Sequence, residues 1–178
     1  MIPAESIWGD YDDVLIHGMT SRDEESGGLS IHRTGPYVPP ISFPGIDEII
    51  VTDDFRLQLT QSDLLGLSFL FVKKKHIVQS DWHEWNKNAE EPNFYPASGE
   101  PEDYILDQPD SRQCAEEMPC LWELNIDRVA HFNRDEMCLA FQSWQGQDVF
   151  RASGVRYNFV TEKAKIWLEN VVPDCANF

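Results

Sequence analysis

A chain of 178 residues with 42% hydrophobic and 12% aromatic side chains holds enough apolar matter for one globular domain. At that length a globule buries roughly 70% of its unfolded surface, so the composition excludes a disordered chain. Thirty-one acidic against fourteen basic residues give a formal charge of −17, a field that repels phosphate backbones and anionic membranes and speeds encounters with basic partners.

The first 35 residues are weakly patterned. Asp10-Tyr11-Asp12-Asp13 precedes the short run Val14-Leu15-Ile16, and Ser21 to Gly28 reads as a solvated loop. Thr34-Gly35-Pro36-Tyr37-Val38-Pro39-Pro40 is barred from helix by its prolines. Ile49-Ile50-Val51 predicts a short buried strand, after which Thr52 caps a helix over 53–64 whose first residues, Asp53 and Asp54, suit the positive end of the dipole. Gly66 ends that region, and strands are expected over 67–72 and 76–80, separated by Lys73-Lys74-Lys75.

Residues 81–110 hold four prolines and several aromatics, which predicts a long ordered loop packed by its own rings, a kind of segment often used for function. Leu121 to Ile126 alternates with period two, 137–141 is its expected partner strand, and 155–160 is a further strand. A C-terminal helix over 162–171 has Thr161 as N-cap, an apolar face of Ala164, Trp167, Leu168 and Val171, and Pro173 at its end. The sum is a single-domain α+β fold with a mixed or antiparallel sheet and a few packed helices.

Motifs of catalysis are scarce. No phosphate-binding glycine loop, nucleophile elbow, H-E-x-x-H or calcium loop occurs, and Ser153-Gly154 reads as a turn. His131, Glu136 and Cys138 match no tetrahedral spacing, and Cys114, Cys120, Cys138 and Cys175 contain no C-x-x-C, so no metal, no cofactor and reduced thiols are expected. In Trp82-His83-Glu84-Trp85, neighbours in a loop or strand point apart, so His83 and Glu84 are not expected to form a dyad. No apolar run reaches the ~20 residues of a membrane span, and Met1-Ile2-Pro3-Ala4-Glu5 lacks the regions of a signal peptide, which predicts a cytoplasmic protein.

The acidic excess is uneven: residues 1–85 hold 6 basic and 14 acidic groups, 86–127 hold 2 and 11, and 128–178 hold 6 and 6. That excess serves either solubility or a partner; with catalytic motifs scarce, a binding protein rather than an enzyme is expected, with the interface on Glu100, Glu102, Asp103 and Tyr104, where Gly99 and Pro101 restrain the backbone, and a second patch at Asp53 and Asp54. The rival reading makes Glu102 or Asp103 a turn cap and Tyr104 a core residue.

Several phrases in combination resemble the double-CxxCG motif family of immunity proteins from bacterial polymorphic toxin systems. They are Gly35 to Ile41 followed by a Pro-Gly turn, Val51 to Phe55 opening a helix, Leu65 to Phe69 entering a strand, Gly99 to Ile105, and Leu121 to Leu124. Together they span residues 35–124 discontinuously, about half the chain, and the end from Phe159 through Trp167 is similar in character. The paired CxxCG motifs themselves are absent, so no metal knuckle is transferred. The resemblance implies a cytoplasmic antidote that binds its cognate toxin domain without a cofactor. Nuclease toxins are often basic, and the acidity of this chain agrees with such a partner. An acidic adaptor or structural partner, and an unrecognised enzyme, are the alternatives.

Overall fold

The computed structural model describes residues 2–3, 8–45, 47–173 and 176–177. Along the chain run β1 (Ile2–Pro3), α1 (Asp10–His17), β2 (Met19–Arg22), β3 (Leu29–Gly35), β4 (Ile41–Ser42), β5 (Ile50–Thr52), α2 (Asp53–Gln61) and β6 (Leu67–Gln79). They are followed by a 3₁₀ turn (Trp82–Glu84), α3 (Asp103–Leu106), α4 (Arg112–Glu117), β7 (Leu121–Ile126), β8 (Arg128–Asn133), β9 (Cys138–Phe141), β10 (Val149–Ser153), β11 (Asn158–Val160), α5 (Glu162–Val171) and β12 (Ala176–Asn177). The class is α+β.

The larger sheet has the order β2-β3-β6-β7-β5-β4 and is mixed, because β3 and β6 run parallel while the other pairs are antiparallel. A second sheet, β11-β10-β8-β9, contains one parallel pair, β8 with β10. On one face of the larger sheet, Phe55 and Leu59 of α2 pack with Ala164 and Leu168 of α5 against Val51, Leu124 and Ile126. On the other, Cys114 and Met118 from α4 and its end cover Ile31, Ile50, Val72 and Leu121. A third cluster joins Val14 and Leu15 of α1 to Val78, Trp82, Tyr104 and Ile105.

Both predicted caps are present. Thr52 Oγ1 accepts from the Phe55 amide at 3.4 Å and Thr161 Oγ1 from the Ala164 amide at 3.3 Å, each satisfying a donor that the first helical turn leaves over. Thr161 also donates to Asp148 Oδ1 at 2.8 Å. The buried Asp148 carboxylate accepts in addition from the Leu65 amide and Lys163, which ties α5 to the entry of β6.

Five expectations are corrected. The first 35 residues hold α1, β2 and β3, the last an internal strand, and Gly18 at φ +75° turns α1 into β2 so close to β3 that a Cβ there would meet Arg33 Cβ at 2.7 Å. Residues 67–72 and 76–80 are one strand of 13 residues, because Lys73-Lys74-Lys75 does not interrupt it. The central Lys74 ammonium turns inward and donates to the Ala115 and Met118 carbonyls at 2.6 and 2.8 Å, at the end of α4 where a helix leaves acceptors over, while Lys73 and Lys75 stay in solvent. The expected helix over 53–64 ends at Gln61, where the Ser62 amide and hydroxyl cap the last turn. Finally, β9 does not pair with β7; it pairs with β8, a strand the sequence pattern did not disclose, and the predicted strand at 155–160 shortens to Asn158–Val160.

Candidate partner-binding surface

Residues 81–110 wrap one end of the larger sheet, held by side chains rather than by a ladder. Tyr104 lies at the centre of a ring cluster, 5.6 Å from Phe94, 5.9 Å from Tyr11 and 6.3 Å from Trp85 between ring centroids. Its hydroxyl donates to the Phe94 carbonyl, and burial pushes its pKa up, so it stays a donor. The Tyr11 ring lies tilted against Tyr95, 4.6 Å between centroids, and its hydroxyl donates to the Gly99 carbonyl. Lys87 lies between two indoles, 4.7 Å from Trp8 and 4.3 Å from Trp82, with its ammonium donating to the Trp82 carbonyl.

This packing fixes which predicted site residues face outward. Glu100 and Glu102 are exposed, Asp103 is half-buried and accepts from Ser98 Oγ, and Tyr104 is 4% exposed and belongs to the scaffold. Tyr104 as an interface anchor is therefore corrected: its ring is spent inside. The surface is nonetheless acidic over a wide span, because Glu84, Glu90, Glu91, Asp107, Glu116 and Glu117 are exposed as well. The only two bases between residues 86 and 127 are engaged, Lys87 with its indoles and Arg112 with Glu116 at 2.9 Å.

The second predicted patch belongs to another part of the molecule, where α2 meets β6 and β7. Asp53 Oδ1 accepts from Trp122 Nε1 at 2.8 Å and from Arg56 Nε at 3.0 Å, and the Arg56 guanidinium lies 4.5 Å above the Trp122 ring. Asp53 is thus a joint between helix and sheet, whereas Asp54 is exposed. Beside this joint Phe71 is 59% exposed and sets its edge against Trp122. Asp53→Ala is expected to cost about 1–2 kcal/mol for two charge-assisted hydrogen bonds on a partly exposed group, and Asp54→Ala less than about 0.5 kcal/mol, both read from urea unfolding.

A cavity of about 250 Å³ opens between the wrapped segment and the sheet. Thr34, Val78 and Tyr104 lie buried at its base, and Gln79, Ser80, Asp81, Trp85, Phe94 and Gln108 line the rest. Asp81 Oδ1 accepts from Trp85 Nε1 at 3.1 Å across the 3₁₀ turn. Sequence reasoning marked this stretch for His83 and Glu84 and missed Asp81 with Trp85; their spacing of four residues was the one signal that could have found them. His83 and Glu84 do approach, at 3.7 Å, because the turn is 3₁₀ and not a strand, and His83 stacks on Tyr37 at 4.6 Å.

Elsewhere His131 Nδ1 stands 2.8 Å from Ser153 Oγ on neighbouring strands, the reach of a base and a nucleophile. Among the described residues no carboxylate hydrogen-bonds that imidazole, and the Gly154 carbonyl beside it is taken by Arg134. Cys138 Sγ is 3.5 Å from Glu136 and does not meet His131. No group of three or more His, Cys, Asp or Glu among the described residues could hold a metal ion. Cys114, Cys120 and Cys138 are free thiols, and Cys175 lies outside the described residues. No helix among the described residues is long and apolar enough to cross a membrane.

Compared with known proteins, the chain matches no family model, no curated protein and no solved structure.

Proposed function

We propose that this chain is a cytoplasmic immunity protein that binds a cognate bacterial toxin domain, one to one, and blocks it without turnover. The observation that supports this reading most is the run of exposed acids over residues 81–117, much of it displayed on a ring-packed scaffold, with the two bases of that stretch already engaged. Such a surface is complementary to the cationic groove with which a nuclease grips phosphates. Because its backbone is held before contact, little ordering entropy is lost on binding. The resemblance of residues 35–124 to the double-CxxCG immunity proteins supports the same reading.

The test is inhibition of the toxin domain encoded beside this gene by the purified chain, titrated against it. Full protection is expected at one equivalent, with an association rate that falls as salt rises, since the field is screened over about 8 Å at physiological ionic strength. Protection by a small fraction of an equivalent would replace this reading with an enzyme that reverses damage. Absence of any complex with that toxin would favour an adaptor for a different basic partner.

A further inference from the structure

Among the described residues the same carboxylate and indole arrangement occurs twice, once with a cation in place and once without. At the first, Asp53 Oδ1 accepts from Trp122 Nε1 at 2.8 Å, and the Arg56 guanidinium both donates to that carboxylate and lies over the indole at 4.5 Å. At the second, Asp81 Oδ1 accepts from Trp85 Nε1 at 3.1 Å. Among the described residues no guanidinium contacts either side chain, and the space beside them is the 250 Å³ cavity walled by Phe94 and Tyr104. That cavity falls below the roughly 300–1,000 Å³ typical of small-molecule and cofactor sites, and its size suits a single long side chain.

We infer that the cavity is a socket for one arginine side chain of a basic protein partner, with its guanidinium on the Asp81 carboxylate and against the Trp85 ring. The inference rests on the proposed toxin partner and names the contact that anchors it. A flat guanidinium stacks on an aromatic face and presents several donors in one plane, and Gln79 and Gln108, which line the cavity, carry amide oxygens able to accept from those the carboxylate leaves over. An ammonium offers no flat face to the ring and cannot bind the carboxylate through two parallel donors. The same segment already holds one cation, Lys87, between two indoles, and its Glu84, Glu100 and Glu102 are exposed.

The experiment is titration of the full chain with Nα-acetyl-arginine amide, followed by side-chain NMR of Trp85, Gln79 and Gln108. Saturable shifts confined to these residues are expected, with the corresponding lysine amide binding about tenfold more weakly. Asp81→Asn should weaken the arginine probe about tenfold. Phe94→Ala, checked by its melting curve, should weaken it several-fold through a second wall. Equal binding of the two probes, or shifts spread evenly over the acidic surface, overturns the socket. With the toxin domain, Asp81→Asn binding as tightly as the natural chain overturns the socket as its anchor and leaves the inhibitor reading standing. Arginine bound at Trp85 by a chain that binds no toxin upholds the socket and overturns that reading alone.

Discussion

Acidification from pH 6.5 to pH 4 is expected to remove about 3 kcal/mol of folding stability through His17 alone, because its pKa falls from 6.5 when unfolded to about 4 in the fold. Burial is the main cause; the nearby Arg33 cation adds to it and Asp13 opposes it. His17 is 7% exposed, edge-on to Phe43, and its Nδ1 has no hydrogen-bond partner among the described residues, so the neutral ring is the form that fits. The sign follows from proton counting. Between the two values the unfolded chain binds a proton that the folded one refuses, so the stability present above pH 6.5 is lost progressively as the pH falls towards 4. Below that range Asp148 adds to the loss. Its burial favours the neutral acid, but the Leu65 amide, Thr161 and Lys163 outweigh this and hold its pKa below the ordinary carboxylate value. Urea unfolding of the natural chain and of His17→Leu at pH 7 and pH 4.5 isolates the histidine. The natural chain should lose more stability than the variant by about 2–3 kcal/mol, and parallel losses would mean that His17 is not held neutral.

Arg33→Ala is expected to cost about 4 kcal/mol, near the upper end of what a single substitution removes. Arg33 is fully buried, and its guanidinium donates to the Thr34 and Ile16 carbonyls at 3.0 and 3.1 Å and to Ser42 Oγ at 3.4 Å. Burial pushes its pKa down to about 10, so it stays charged at neutral pH, held by neutral acceptors from α1, β3 and β4. Truncation opens a cavity and strips three acceptors of their donors at once, two separate mechanisms of loss. Arg33→Lys should lose less, since one ammonium can still reach some of these oxygens. Equilibrium unfolding in urea gives both values, and a loss below about 1 kcal/mol for Arg33→Ala would show that the site collapses or admits water.

Arg33 also explains what could not be seen in the sequence. Strand β3 presents Leu29, Ile31 and Arg33 to the interior, and a charged residue in the third place breaks the alternation by which a half-buried strand is recognised. The caps at Thr52 and Thr161 and the apolar faces of α2 and α5 were legible because they depend on neighbours within a turn. The continuation of β6 through three lysines was not, because the partner that draws Lys74 inward is α4, some forty residues later. Residues 81–110 were recognisable as a ring-packed segment, yet which acids it turns outward depends on Tyr104 sitting inside and on long-range bonds such as Tyr11 to Gly99. The Asp81 and Trp85 pair left only its spacing of four residues as a signal, and its likeness to Asp53 and Trp122, two residues far apart in the chain, appears in the fold alone.

The divided pairing of β6 bears on how the chain is made. Its second half, Lys73 to Gln79, can join β3 as soon as it has been synthesised, whereas Leu67 to Val72 pairs with β7 alone and must wait until residue 126 has emerged. Over that interval Leu67-Ser68-Phe69-Leu70-Phe71-Val72, which carries no charge and no proline, is an open strand edge of the kind that templates aggregation between nascent chains. The three lysines that follow at once place repelling charge beside it, so that they guard the unfinished molecule, and Lys74 alone among them goes on to anchor the finished one.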